Sequence, residues 1–248
     1  MPTILITGAS SGLGAEMARQ FAAHGNDLAL CARRTERLDE LKAEILAAHH
    51  GVRVELRALD VNDDAQVFEV FGAFRDDFGT LDRVIVNAGI GKGAALGTGR
   101  YDANRATAMT NFVAALAQAE AAMEIFRAQN AGHLVFVSSM SAMRGLPKSM
   151  TTYAASKAGV AMLAEGLQNE LLGKPIKVTV LYCGYIASEM NEGVAQQVRF
   201  MVPTEKGVRA MVDAIEKEKA SAYIPTLPWA PLAPLMRHAP LRVFKKLL

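Results

Sequence analysis

Six short apolar runs alternate with longer stretches of helical periodicity, and that alternation restricts the fold more than any other feature of the chain. The runs are Thr3–Thr7, Asp27–Ala32, 52–58, 81–87, 133–138 and 176–182. Helical patterns fall over 12–25, 35–50, 63–78, 102–130 and 152–173. A further helix over 204–218 precedes a short strand near 222–225. In the first helix Leu13, Met17, Phe21 and Ala22 recur on one face, and Gly25 ends it. A β-α-β-α order makes consecutive strands parallel and puts their connecting helices on both faces of the sheet. Strands covered on both sides should read as nearly continuous apolar runs, as these do. The expected fold is α/β, a doubly wound parallel sheet of about seven strands in one domain.

At 248 residues, 51% hydrophobic, the chain is long enough for a large core. Its 27 basic and 25 acidic residues leave a net charge of +2, which gives no reason to expect a nucleic-acid partner. No apolar run approaches the ~18 residues of a membrane span. The N-terminus has neither a basic region nor an apolar signal core, so a cytoplasmic location is expected. Cys31 and Cys183 lack any CxxC or metal-ligand spacing and read as buried thiols in a reducing compartment. The five histidines show no ligand spacing either, and no metal is expected. Residues 1–225 read as one domain, and 226–248 as a tail. The stretch 225–248 holds five of the nine prolines, contains Arg237, Arg242, Lys245 and Lys246, and has no acid. Prolines at 225, 228, 231 and 234 argue against a regular helix there.

The first strand meets the first helix through Thr7, Gly8, Ala9, Ser10, Ser11, Gly12, Leu13 and Gly14. Its GxxxGxG spacing allows a tight turn and close approach of the backbone to a pyrophosphate. The helix N-terminus adds free N–H groups and partial positive charge, and Ser10 and Ser11 add hydroxyl donors. The spacing is not the GxGxxG of the general dinucleotide fingerprint, but it meets the same mechanical need, and a phosphate cradle of a Rossmann-like dinucleotide-binding fold is expected. Where NAD sites carry an acid at the end of the second strand, this chain has Ala32 followed by Arg33 and Arg34. A carboxylate would repel a 2′-phosphate, whereas a guanidinium holds it in a forked contact worth about 1.5–3 kcal/mol. NADP(H) is therefore expected over NAD(H). Asp60 and Val61 end the third strand, and Asn87, Ala88 and Gly89 end the fourth, where open α/β sheets bind ligands. Asp60 offers an acceptor to an adenine amino group, and 87–89 a close backbone approach to a ribose.

Tyr153 and Lys157 stand four apart on one face of the 152–173 helix. An ammonium about 4 Å from a phenol contributes roughly 4 kcal/mol at an effective dielectric near 20. The phenol is thus expected to fall by about three units from its usual value near 10, into the range of useful acid–base work. Just upstream, the fifth strand runs out through Ser138, Ser139, Met140 and Ser141. A serine so placed can bond a substrate carbonyl oxygen.

These motifs, in this order and over roughly residues 3–225, resemble the short-chain dehydrogenase/reductase family. The resemblance implies that Tyr153 protonates a carbonyl oxygen as hydride arrives from the nicotinamide. Lys157 would lower the phenol pKa and hold the nicotinamide ribose, and Ser139 would orient and polarise the carbonyl. Asn111 would hold a water linking Lys157 to solvent. Ser139 lies one residue further from Tyr153 than the family's serine and Ser141 one residue nearer; Ser139 is favoured, with Ser141 the alternative. The family's usual Pro-Gly after the sixth strand is replaced by Cys183 and Gly184, and its threonine by Ser188. Gly184, Ile186 and Ser188 would contact the nicotinamide carboxamide or a phosphate. A homodimer or homotetramer through the helices near 107–128 and 152–172 is also implied.

Residues 189–203 fall where the family places its substrate lid. Met190, Val194, Val198, Phe200 and Met201, with Ser141, Met143 and Leu146, would give an adaptable apolar wall. The expected substrate is a hydrophobic ketone, aldehyde or alcohol. The C-terminal stretch around Trp229 would close over that pocket or enter a partner's groove. Alternatively, its basic and apolar residues from Leu241 onward would contact an anionic membrane surface. The expected activity is an NADP(H)-dependent carbonyl reductase or alcohol dehydrogenase. Alternatives are a non-enzymatic dinucleotide-binding sensor or scaffold, and a lyase, epimerase or dehydratase built on the same tyrosine.

Overall fold

The computed structural model describes residues 1–91, 93–190 and 200–245. Seven strands form one parallel sheet: β1 (Thr3–Thr7), β2 (Asp27–Ala32), β3 (Val54–Ala58), β4 (Arg83–Val86), β5 (Gly132–Ser139), β6 (Ile176–Cys183) and β7 (Ser221–Ile224). Their order is β3-β2-β1-β4-β5-β6-β7. Chain direction across the sheet reverses between β1 and β4, which opens a crevice beyond the strands' C-terminal ends, the usual ligand position in such sheets. β1 shows why both faces are filled. Ile4 and Ile6 point into one cluster with Met17, Phe21, Leu30 and Ile215, while Leu5 points into the other with Phe71, Phe74, Phe126 and Phe136.

Helices α1 (Gly12–Ala23), α2 (Thr35–Ala48) and α7 (Thr204–Glu216) pack on the first face. Helices α3 (Asp64–Phe78), α5 (Ala114–Gln129) and α6 (Met150–Glu170) cover the second. The long 102–130 helix expected from the sequence is α4 (Tyr101–Ala108) running into α5 through a single π-helical turn, Met109–Val113. π turns concentrate at functional sites, and this one carries Asn111. Deeper in the sheet, the Arg83 Nε donates to His133 Nδ1 at 3.0 Å, and His133 Nε2 meets Thr179 Oγ1 at 2.7 Å. Burial, with Arg83 adjacent, drives the His133 pKa down to about 3.

The proline-rich end departs from expectation. Residues 226–238 form helix α8 (Thr226–His238), followed by α9 (Leu241–Phe244). Leu227, at φ −104° and ψ 135°, lies outside helical geometry, so the regular helix begins at Pro228. A proline there lacks only an N–H that would be unpaired anyway. Pro231 and Pro234 lie inside the helix, and each leaves the carbonyl four residues back, that of Leu227 and that of Ala230, without a helical N–H partner. Trp229 and Ala233 are the buried residues of α8, and with Met140 they form a small core of their own. Arg144 fastens the far end. Its Nη1 donates to the carbonyls of Met236, Arg237 and Ala239, and its guanidinium sits 5.3 Å from the Phe244 ring centroid. A cation at a helix C-terminus meets the negative end of the helix dipole. The inner face of α8 is thus docked on the chain's own fold, while Leu235, Leu241 and Val243 stay exposed beside Arg237 and Arg242. No helix among the described residues is long and apolar enough to cross a membrane.

Candidate active site

The crevice is built from strand ends. Thr7 closes β1, and its Oγ1 accepts from the backbone N–H groups of Asn87 and Ala88, both at 3.1 Å. The Asn87 amide donates back to the carbonyls of Thr7 at 2.9 Å and Gly8 at 3.4 Å. Asn87 therefore fastens the glycine-rich loop to the end of β4. Gly14 has to be glycine, because a Cβ there would stand 2.7 Å from Asn87 Nδ2 and collide with the Gly8 carbonyl. Gly8 and Gly12 turn the chain with φ of +66° and +55°. Leu13 packs toward the core, and Gly12 faces Ser188 across the loop, where a Cβ would lie 3.5 Å from that of Ser188. The result is a backbone cradle at the N-terminus of α1, shaped for a phosphate.

Arg34 crosses this cradle, donating from Nη2 to Ser11 Oγ at 2.6 Å and from Nε to Ser10 Oγ at 3.3 Å. Arg33 is exposed and makes no ion pair among the described residues. Asp60 Oδ1 accepts from the Asn62 backbone N–H at 3.0 Å, and Val61 is buried beside it. Ile186 is buried and bridges to Val202, and Met190 lies over Gly91. Sequence reasoning missed Arg37 and Glu189, which join Arg34 in an ion-pair cluster. The signal for Arg37 was its place one helical turn after Arg34; nothing local marked Glu189.

On the other side of the crevice, β5 and α6 meet. Ser138 Oγ donates to the Lys157 carbonyl at 2.9 Å, tying the strand's end to the helix. Lys157 is buried, its Nζ donating to the Val137 carbonyl at 2.9 Å and standing 6.0 Å from the Tyr153 ring centroid. The Ser139 hydroxyl lies near enough to the Tyr153 phenol to pull its pKa down, and it accepts from the Ser141 N–H at 3.2 Å. The Ser141 Oγ is buried with no partner among the described residues. Of the two serines, Ser139 is the one whose hydroxyl acts on the phenol's pKa. Asn111 grips the Ile90 backbone, accepting from its N–H at 2.8 Å and donating to its carbonyl at 2.9 Å, and its Nδ2 also donates to Ser156 Oγ at 3.5 Å. It also touches Gly89, where a Cβ would sit 3.2 Å from Asn111 Oδ1 and 3.5 Å from Lys157 Nζ.

The electrostatics differ from the sequence expectation. Burial pushes the Tyr153 phenol up to about 12, with Ser139 pulling against it, rather than down toward neutrality. Lys157 loses its own hydration, which brings its ammonium down to about 8. Desolvation acts on both groups and outweighs an ammonium held to a carbonyl rather than to the phenol. Cys183, also buried, is pushed up to about 12 by desolvation and stays a thiol.

Beyond the serine, Met143 and Met140 pack with Trp229. Phe200 meets the indole edge-on at 6.3 Å and Tyr185 tilts against it at 6.0 Å. Trp229 Nε1 is buried without a partner among the described residues. Val194, Val198, Lys246 and the two terminal leucines lie outside the described residues. No group of three or more His, Cys, Asp or Glu side chains among the described residues is placed to hold a metal ion.

A family model described as short chain dehydrogenase matches residues 2–199. An uncharacterised oxidoreductase of Mycobacterium tuberculosis is 53% identical over 243 residues, covering 98% of this chain and 96% of that protein. A short-chain dehydrogenase of Sphingobium yanoikuyae, solved in complex with NADPH, has a TM-score of 0.84 at 28% identity over 95% of this chain and 92% of its own. The bulky-bulky ketone specific alcohol dehydrogenase of Comamonas testosteroni gives 0.81 at 27% identity, over 95% and 90%. A family match over most of the length, and a relative identical at more than half of the aligned positions, decide the classification. This chain belongs to the short-chain dehydrogenase/reductase family of oxidoreductases.

Proposed function

We propose that the protein is an NADP(H)-dependent oxidoreductase that interconverts a hydrophobic ketone and its secondary alcohol. The observation that carries this reading is the Tyr153 phenol under the influence of Ser139 with buried Lys157 6.0 Å from its ring, at the same strand ends as a phosphate-shaped cradle. Gly8, Ser10, Ser11, Gly12, Leu13 and Gly14 would hold the pyrophosphate, Asp60 and Val61 the adenine, and 87–89 the adenosine ribose. Gly184, Ile186 and Ser188 would hold the nicotinamide end. Ala32 in place of an acid, with Arg34 lying over Ser10 and Ser11, supports NADP(H) over NAD(H). Once bound, the nicotinamide supplies or accepts the hydride.

The chain's own residues handle the proton. Tyr153, held protonated through the neutral range, donates its Oη proton to the carbonyl oxygen during reduction. Ser139 donates a hydrogen bond to the same oxygen and fixes it against the phenol. The buried Lys157 ammonium stabilises the phenolate left behind and offers a bond to the nicotinamide ribose. Asn111 positions the β4 loop against Lys157 through both backbone groups of Ile90. The substrate wall of Met143, Met190, Phe200 and Trp229 favours a large apolar ketone, the class named for the Comamonas neighbour. Buried thiols at Cys31 and Cys183 favour the reducing cytoplasm. The exposed Leu116 and Met162, on helices α5 and α6, suit a homo-oligomeric contact. The test is consumption of NADPH against NADH with a panel of hydrophobic ketones. A protein that binds NADPH yet turns over neither any ketone nor any alcohol would refute the proposal.

A further inference from the structure

The guanidinium of Arg34 already has an anion. Its Nη1 pairs with Glu189 Oε2 at 3.2 Å, while its other nitrogens rest on Ser10 and Ser11. Arg37, on the first turn of α2, donates through Nη1 to the opposite oxygen, Glu189 Oε1. One carboxylate, directly after Ser188, therefore bridges two arginines at the end of β2. That is where the proposed reading puts the 2′-phosphate of NADP(H). The two arginines hold the Glu189 carboxyl below the usual carboxylate range, Arg37 contributing most, so it stays ionised.

We propose that Glu189 is a built-in rival of the 2′-phosphate for Arg34 and Arg37, and that Arg37 is a second phosphate-reading residue. The inference deepens the proposed NADP(H) preference and rests on it. Side-chain exposure of 46% on both partners makes this a wet, exchangeable ion pair. A phosphomonoester brings about two negative charges and three acceptor oxygens, a better match to two guanidinium forks than one carboxylate. It therefore displaces Glu189, but its apparent affinity is lowered by the fraction of molecules in which the carboxylate already holds the arginines. NAD(H), whose ribose lacks that phosphate, leaves the bridge closed. Glu189 thus narrows the gap between the two cofactors, while Arg34 and Arg37 set its direction.

The experiment is calorimetric titration of the full chain with adenosine 2′,5′-bisphosphate and with adenosine 5′-monophosphate. Glu189→Gln should bind the bisphosphate about 3- to 10-fold more tightly and the monophosphate unchanged. Raising the salt should shrink that gain. Arg37→Gln should weaken the bisphosphate several-fold and spare the monophosphate. If Glu189→Gln leaves the bisphosphate unchanged or weaker, or moves both ligands equally, the rivalry is wrong. An unaltered affinity in Arg37→Gln removes that residue from the site. Wild-type protein that binds both nucleotides alike overturns the NADP(H) reading itself, a result separable from the others.

Discussion

Trp229 lays its indole Nε1 against the α-carbon of Gly184 so closely that a methyl group there would overlap the ring. Gly184 follows Cys183, whose backbone pairs with Ser139, so the contact joins the C-terminal helix to the ends of β5 and β6. Gly184→Ala should force the indole out and destabilise the protein by about 1–3 kcal/mol, as overpacked cores do. In a Trp229→Ala background the same change should cost much less, a coupling that urea unfolding of the four proteins measures. An equal cost in both backgrounds would show that the indole is not what Gly184 accommodates.

Removing the phenolic hydroxyl should stop chemistry without loosening the cofactor. Tyr153→Phe is expected to lower kcat about 10²- to 10⁴-fold with NADPH binding intact. Retention of turnover would leave the proton without its donor in the scheme above.

The two candidate serines should separate cleanly. Ser139→Ala deletes the hydroxyl that acts on the phenol and should cost about 10²-fold in kcat. Ser141→Ala removes a buried, unpartnered oxygen and should leave kcat near wild type, with stability unchanged or slightly raised. The opposite ranking would transfer the catalytic role to Ser141.

Ketone reduction should be insensitive to pH through neutrality and decline as pH rises past about 8, where Lys157 gives up its proton. Tyr153 contributes no titration in that range, since its phenol stays protonated to about 12. The check is kcat/KM from pH 6 to 10, and a decline centred well below neutrality would contradict the assignment.

His133 should make the fold acid-sensitive. Its native pKa of about 3 lies below the ordinary 6.5, so between those values the unfolded chain binds the extra proton. Its contribution is complete above about 6.5 and is lost as pH falls, by roughly 1.4 kcal/mol per pH unit. Urea midpoints at pH 7 and pH 5 should therefore converge in His133→Gln relative to wild type.

The sequence was informative where the cause is local. Strands and helices follow from periodicity, and the turn from Gly8 to Gly14 follows from spacing. The Tyr153–Lys157 pair follows from one turn of helix. Features set by distant parts of the chain were not legible. The phenol rises instead of falling because burial, a property of the whole fold, outweighs its neighbour. Glu189 reaches Arg34 across 155 positions. The proline-rich stretch is helical against local expectation because Pro228 falls at the first helical position and because Met140 and Arg144, distant in the chain, hold the helix at its buried face and its end.

The clamp of Arg144 on the carbonyls closing α8 has an evolutionary consequence. The residues proposed to move the proton sit on the central strand β5 and helix α6, whereas Trp229 of the proposed substrate wall sits on a C-terminal helix held by its own small core and by Arg144. Selection can rewrite that segment without disturbing the reaction, so descendants of this enzyme should change diet more readily than chemistry.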